Sequence, residues 1–339
     1  MNKVKHINIP LFIQHMGCPN QCVFCDQRAI TGAHSFCFER VIDDIEAVLT
    51  TAEEAECEIA FFGGSFTGID RELMVRLLDI AQGYVDSGKV VGIRMSTRPD
   101  YISEEICDIL SNYTVTQVEI GIQSMDDDVL EASRRGHTAD ITRKACKLLR
   151  DRNISFAGQM MVGLPGSDAE SEKNTAREIC KMGADATRIY PLVVFKNTPL
   201  ARMTEEGYYL PLTLDEAVSR AADVYEIFLA ENVKCLKIGL HENESLHSED
   251  SYLAGPNHSA MGELVKGEIY RRKIMKKCSE LDILKGENIL VEAPLGSTSK
   301  IVGHKGVNKR KIIEDLGVKS IKILEKDGIM EYNVSVKLF

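Results

Sequence analysis

The chain has 339 residues, 44% of them apolar and 27% charged, with 25 Gly and 9 Pro, which excludes a disordered, collagen-like or coiled-coil protein. No run of 18 apolar residues occurs, and the start MNKVKHINIP lacks the apolar core of an export signal, so neither a membrane span nor secretion is expected. The net charge of −10 is uneven: residues 257–339 carry 16 Lys/Arg against 11 Asp/Glu, a net of +5, so the rest carries −15. Ten Cys are too sparse for a disulfide scaffold at this length and point to metal or redox chemistry in a cytosolic protein.

In chain order, strands are predicted at 7–14, 57–62, 90–95, 115–122, 154–162 and 186–194. Each is followed by a helical stretch, near 38–54, 70–86, 102–112, 126–152, 168–182 and 198–206. Runs such as ISFAGQMMV suit parallel strands covered on both faces. Six strand–helix units imply an α/β parallel sheet, either doubly wound or curled into a partial barrel, with the active site at the carboxyl ends of the strands. A long helix is expected at 213–231, a short strand at 234–240, a polar loop at 241–250 and a helix at 258–279. The remainder reads as a strand, a Gly-rich loop, a helix at 308–316 and strands at 318–325 and 330–338. The chain is divided accordingly into residues 1–240, a connecting loop and helix over 241–280, and a small α+β unit over 281–339.

Cys18, Cys22 and Cys25 lie in GCPNQCVFC, directly after the first strand. Three thiolates within eight residues can serve one metal centre. Three Cys ligands to a [4Fe–4S] cluster leave one iron open to another molecule. Zinc is the alternative and would want a fourth ligand, for which His15 is a candidate. The other seven Cys are scattered and read mostly as buried reduced thiols.

The spacing C-x3-C-x2-C, with Phe24 before the third Cys, resembles that of the radical S-adenosylmethionine (radical SAM) superfamily. FFGGSFTG (61–68) and QMMVGLPG (159–166) fall where that family has its Gly-Gly and adenine-contacting segments. VEIGIQSMDDDVL, RRGHT, MMVGLPGSD and RIYPLVVFKNTPL resemble the radical SAM domain of the Elongator catalytic subunit and its bacterial relatives, over about residues 10–240. The resemblance implies a partial (β/α)6 TIM-like barrel holding a [4Fe–4S] cluster and S-adenosylmethionine. In such enzymes one electron from the cluster breaks the sulfonium C–S bond, and the resulting 5′-deoxyadenosyl radical takes hydrogen from a substrate carbon. A ferredoxin or flavodoxin is the kind of electron donor implied.

Carried over by position, Cys18, Cys22 and Cys25 hold the cluster. Gly63, Gly64 and Ser65 meet the methionine end. Gln123 and Arg135 contact ribose or carboxylate, a task to which the Arg donor fork is suited. Phe24 and Val162 border the adenine, and Arg188 faces the same mouth. The alternative for Gln123 and Arg188 is that each satisfies neighbouring backbone or a carboxylate; for Gly163 and Gly166 it is a tight turn. The chain departs from the pattern at Ser96, where relatives often have Glu, and at Gln159, where an acidic residue is common. About a hundred residues follow position 240, too few for the Elongator acetyltransferase half, so acetyl-CoA is not an expected substrate.

AGPNHSAMGELV (254–265) suggests a lid or substrate-facing turn, with His258 either a proton donor or a cap for the following helix. His241 and His247 read as solvated. In KIVGHKGVNKRKIIEDLGVKSIKI (300–323), Gly303-His304-Lys305-Gly306 lies between an apolar strand end and a basic helix. It resembles the G-x-x-G loop of the KH domain, which clamps a nucleic-acid backbone. Lys305, Lys309, Arg310 and Lys311 supply positive charge; the alternative is an ordinary turn on a solvated face. The leading expectation is a radical SAM enzyme acting on RNA, with tRNA foremost. A radical SAM enzyme with a small-molecule or peptide substrate, and a non-catalytic RNA-binding Fe–S protein, are the rivals.

Overall fold

A computed structural model describes residues 5–18, 22–26, 36–52, 55–240 and 251–339. Strands β1 (Lys5–Phe12), β2 (Ala55–Phe62), β3 (Gly92–Thr97), β4 (Val115–Gln123), β5 (Phe156–Val162) and β6 (Ala186–Pro191) pair in sequence order, all parallel. A two-residue strand, β7 (Val194–Phe195), leaves the sheet, and β8 (Lys234–Ile238) returns to pair parallel with β6. The half-barrel therefore has seven strands rather than the six strand–helix units expected. Among the described residues, no helix is long and apolar enough to cross a membrane.

Alternation along the strands separates two faces. Ile9, Ile59, Phe61, Ile93, Met95, Val118, Ile120, Phe156 and Met160 are buried in one apolar core under the surrounding helices. The opposite face is polar and lines the barrel. There His6 pairs with Glu58 (2.8 Å), Arg94 lies 3.5 Å from Glu58 and bonds Gln117, and Arg188 pairs with Glu119. Packing hydrocarbon outside and paired charges inside leaves the barrel interior able to take a polar ligand.

Helices α1 (Val41–Thr51), α2 (Arg71–Asp86) and α3 (Glu104–Leu110) follow the first three strands. The single helix expected at 126–152 is two, α4 (Asp127–Ala132) and α5 (Ala139–Asp151). Between them Arg134 (φ +52°) and Gly136 (φ +74°) turn the chain, and the Thr138 side chain caps α5. That break turns Arg135 inward. Helices α6 (Ala169–Lys181), α7 (Pro199–Glu205) and α8 (Leu214–Ala230) complete the outer layer, α6 and α8 each opened by a capping box.

A short strand, β9 (Tyr252–Ala254), pairs with β7 and leads into α9 (Met261–Glu280). The tail then forms β10 (Asn288–Pro294), α10 (Thr298–Val302), α11 (Val307–Leu316), β11 (Ser320–Lys326) and β12 (Ser335–Leu338). β10 is central, parallel to β11 and antiparallel to β12. Ile269, Tyr270 and Ile274 of α9 share one core with Ile289, Val291 and Ile312 of the tail and with Phe228 of α8. Tyr225 of α8 and Tyr332 meet at 3.2 Å through their hydroxyls. The last strand begins at 335, not 330, because Tyr332 turns with φ +61°.

Candidate active site at the mouth of the barrel

The loop after β1 carries the three cysteines to the carboxyl ends of the strands. Cys22 is buried, and Cys18 and Cys25 are half-buried. Backbone bonds fold the loop tightly: Cys18 N–H donates to His15 O (3.3 Å) and Cys25 N–H to Cys22 O (3.1 Å). Two cations face it. Arg135 Nη1 donates to Cys22 Sγ at 3.2 Å and Nη2 to Gly121 O. Arg98 is held by Asp100 (2.9 and 2.8 Å) and by Arg135 O (2.5 Å). Burial pushes the Cys18 thiol up, and the charges of Arg98 and Arg135 offset only part of that rise. Among the described residues no three His, Cys, Asp or Glu side chains are grouped to hold one metal ion.

Around this loop several buried polar atoms have no protein partner: Gln14 Nε2 and Oε1, Arg98 Nη1, Gln123 Oε1, Arg135 Nε and His137 Nε2. Burial without partners is costly, and a polar group set among these atoms relieves the cost. Gln123 is also strained: it adopts φ +66° where β4 shifts register against β5, beside Arg135. His137 is held neutral, its pKa lowered to about 4 by burial and by Arg135.

The glycine segment serves this loop from beneath. A Cβ added to Gly63 (φ +87°) would find ordinary space, 3.6 Å from Phe12 and 3.7 Å from Gln14. Gly64 has no such space: its Cβ would lie 2.4 Å from Ile13 O and 2.6 Å from Met16 O. Contact with the cysteine loop therefore requires glycine at position 64. Ser65 is likewise committed. It is fully buried, its hydroxyl lies 2.9 Å from Thr97 Oγ1, and it accepts from Arg98 N–H at 3.1 Å.

Val162 differs from the sequence reading, and Arg188 and Gly163 take the alternatives stated for them. Val162 shares the outer face of β5 with Gly158, whose Cβ would strike Ile179 of α6, so its side chain lies in the core and not at the mouth. Met161 takes its place, packed with Phe24, Leu164 and Leu192 against Cys22. Arg188 faces the interior but is engaged bidentately by Glu119 (2.7 and 2.8 Å), which also accepts from Gln159 at 2.7 Å. Half-buried Ser96 stands on the interior face of β3, in register with Glu119. Gly163 is wedged by Leu212, which would lie 2.8 Å from a Cβ added there, while Tyr209 Oη donates to its carbonyl at 2.6 Å, which makes it a tight turn. Sequence reasoning misses Arg98, Gln14 and His137. The available signal is that STRPDY sets Arg98 just beyond β3 and that RRGHT breaks the helical stretch ahead of His137.

The tail loop also departs from expectation. Gly303–Gly306 joins two helices, α10 and α11, rather than a strand and a helix. His304 and Lys305 are exposed, and Gly303, Lys305 and Gly306 all have positive φ. Arg310 Nη1 donates to Lys305 O at 2.9 Å and so braces the loop; Lys311 pairs with Asp215 of α8 at 3.0 Å. His258 Nδ1 accepts from Ala260 N–H at 3.0 Å, fixing the turn before α9. His241 and His247 lie outside the described residues.

The Radical SAM superfamily model matches residues 14–179, and the Radical_SAM C-terminal domain model matches residues 184–271. The chain belongs to the radical SAM superfamily. It is 29% identical over 237 residues to an uncharacterized protein of Methanocaldococcus jannaschii, covering 66% of this chain and 72% of that protein. It is 32% identical over 182 residues to the tRNA uridine(34) acetyltransferase of the same organism, covering 48% of this chain and 34% of the relative. The chain thus spans about a third of that acetyltransferase. The fold matches that of an N-terminally deleted Elp3 of Methanocaldococcus infernus with TM-score 0.64 at 23% identity, over 80% of this chain and 64% of the other.

The protein is a radical SAM enzyme, and its family uses a [4Fe–4S] cluster with S-adenosylmethionine. The residues present fit both groups. A thiol loop flanked by Arg98 and Arg135 suits an anionic cluster, and the unpartnered atoms of Gln14, Arg98, Gln123 and Arg135 suit the polar ends of the cosubstrate. Cys18, Cys22 and Cys25 would hold the cluster. Bound together, the two groups would supply a carbon-centred radical; Phe24, Met161 and Leu192 form an apolar wall beside Cys22.

Proposed function

We propose that this radical SAM enzyme modifies RNA, and that its substrate is a tRNA. The observation that carries the reading is the tail: β10–α10–GHKG–α11–β11, with an exposed loop in which three of four residues have positive φ. A loop free of Cβ atoms at both ends lets phosphates approach its backbone, and Lys305 and Lys309 add the charge that RNA binding draws on. The similarity of the barrel to a tRNA uridine(34) acetyltransferase supports the same substrate class. Arg310 and Lys311 shape and anchor the loop rather than read RNA. On this reading the enzyme is cytosolic and takes its electron from a small carrier such as ferredoxin or flavodoxin.

The test is comparison of tRNA nucleosides by mass spectrometry between a strain lacking the gene and its parent. One modified nucleoside should disappear, and its precursor should accumulate. Unchanged nucleosides, together with purified protein that fails to retain tRNA on a filter at low salt, would remove the reading.

A further inference from the structure

Resting on the RNA reading above, we propose that Phe12 and Phe62 form a platform inside the half-barrel that holds the face of one unstacked RNA base. Lys237, on the other edge of the sheet, takes a neighbouring phosphate.

The two phenylalanines are the exception on an otherwise polar surface. Leu11, Ile13 and Phe61 enter the apolar core, so by alternation Phe12 and Phe62 point into the barrel. They stand in register on adjacent parallel strands, which run about 4.8 Å apart. Both are half-buried, and neither joins an apolar cluster of the described residues. Two large rings left partly open to solvent forgo burial that would stabilise the fold. The charged groups of the same inner face, by contrast, are paired: Arg94 with Glu58 and Arg188 with Glu119. The glycine segment fixes the position of the rings. A Cβ on Gly63 would lie 3.6 Å from Phe12 Cδ1 and 3.7 Å from Gln14 Cα. The platform therefore borders the segment that leads into the cysteine loop.

Strands β1 and β8 are the two edges of the sheet, so the half-barrel is open between them. Phe12 lies on one edge. On the other, Lys237 stands in register with Arg188, which faces the interior, so Lys237 faces it too. Arg188 is neutralised by Glu119, whereas Lys237 has no carboxylate partner among the described residues. An aromatic surface on one edge and an unpaired cation on the other match the two chemistries of a nucleotide, a flat π-face and a phosphate. Single-stranded RNA is held by bases splayed out onto aromatic rings. A ring accepts the face of any base, so the pair sets the position of the nucleotide rather than its identity.

The experiment uses the full chain, reconstituted with iron and sulfide, and total tRNA from a strain lacking the gene. Short-wave ultraviolet light joins a stacked base to the ring beneath it, and mass spectrometry maps the adduct. A nucleotide adduct is expected on Phe12 or Phe62. Phe62→Leu keeps an apolar side chain but removes the ring. It should weaken tRNA binding by about tenfold, and Phe62→Trp should restore binding to within about twofold of wild type. Phe12→Leu should repeat the loss, and iron content and the urea midpoint report whether each variant folds. Lys237→Gln should reduce the slope of log affinity against log salt by about one. Adducts absent from both phenylalanines while tRNA binds would overturn the platform and leave the RNA reading standing. So would folded leucine variants that bind tRNA like wild type. A Phe62→Leu protein that loses affinity for S-adenosylmethionine and keeps its affinity for tRNA would also overturn it, because the rings would then belong to the cosubstrate. An unchanged salt slope in Lys237→Gln would overturn the phosphate contact. A wild-type protein that binds no tRNA would overturn the RNA reading itself, and this inference with it.

Discussion

Gly64→Ala tests how the cysteine loop is built. Gly64 does not have positive φ, so its need for glycine is steric and not conformational. The added methyl would sit 2.4 Å from Ile13 O, 2.6 Å from Met16 O and 3.2 Å from Met16 N. All three are backbone atoms of the segment leading to Cys18, so no side chain can swing away. Restoring ordinary contact moves that backbone by roughly 1 Å. Overpacking of this kind costs about 1–3 kcal/mol, which on a binding loop is a roughly 5- to 150-fold loss of the competent population. A domain of ordinary stability survives that cost, so the lesion is local. Gly63→Ala is the control: its Cβ finds normal contacts, and the φ of +87° accounts for about 1–2 kcal/mol of strain without touching Met16. The assay is iron and sulfide per chain after anaerobic reconstitution, with the urea midpoint alongside. Gly64→Ala should lose most of its iron while keeping a cooperative transition, and Gly63→Ala should retain more. A Gly64→Ala protein with full iron content would show that the loop does not rest on this glycine.

Each of Cys18→Ala, Cys22→Ala and Cys25→Ala should abolish most iron binding in a protein that otherwise takes up about four Fe and four sulfide, read by elemental analysis; a stoichiometric zinc protein would contradict the cluster assignment. Arg135→Gln removes a cation from Cys22 and should lower the cluster's reduction potential by about 60 mV, a tenfold change in a one-electron equilibrium, measured by redox titration followed by electron paramagnetic resonance. His137 has a folded pKa of about 4 against an ordinary 6.5, so its contribution is fully present above pH 6.5 and is lost as pH falls toward 4. The iron-free protein should lose about 1 kcal/mol between pH 7.5 and 5.5 by urea unfolding, and His137→Asn should flatten that slope.

Most of the architecture can be read from the sequence because it rests on repeated, redundant signals. Each parallel strand buries a row of apolar residues on its outer face, and six such strands alternate with amphipathic helices, most of them opened by a capping side chain. The errors fall where a tertiary contact overrides a local pattern. The stretch 126–152 has helical periodicity throughout, yet Arg135 must reach Cys22 and Gly121 O, and Arg134 and Gly136 give up helical geometry to let it. Before the tail loop, KIV is apolar and β-branched and so reads as the end of a strand. In the fold those residues end α10, whose Ile301 is buried in the shared core.

The site is legible to the extent that chemistry sits in sequence-local motifs, as the cysteines do. It is not legible where a residue's role depends on which face it presents or on what has already claimed it. Val162 and Met161 are neighbours in one strand, and only the pleat decides which reaches Phe24. Arg188 and Arg135 both point into the barrel. Glu119 takes up two donor nitrogens of Arg188 and accepts from Gln159 as well, which makes Arg188 part of the wall. Arg135 donates to a thiol and a carbonyl and keeps a buried Nε without a partner, as Arg98 keeps Nη1. A buried guanidinium with an unmet donor carries a cost that a ligand or an ordered water relieves. Beside the cysteine loop, Arg98 and Arg135 keep such a donor, whereas Arg188, engaged by Glu119, does not.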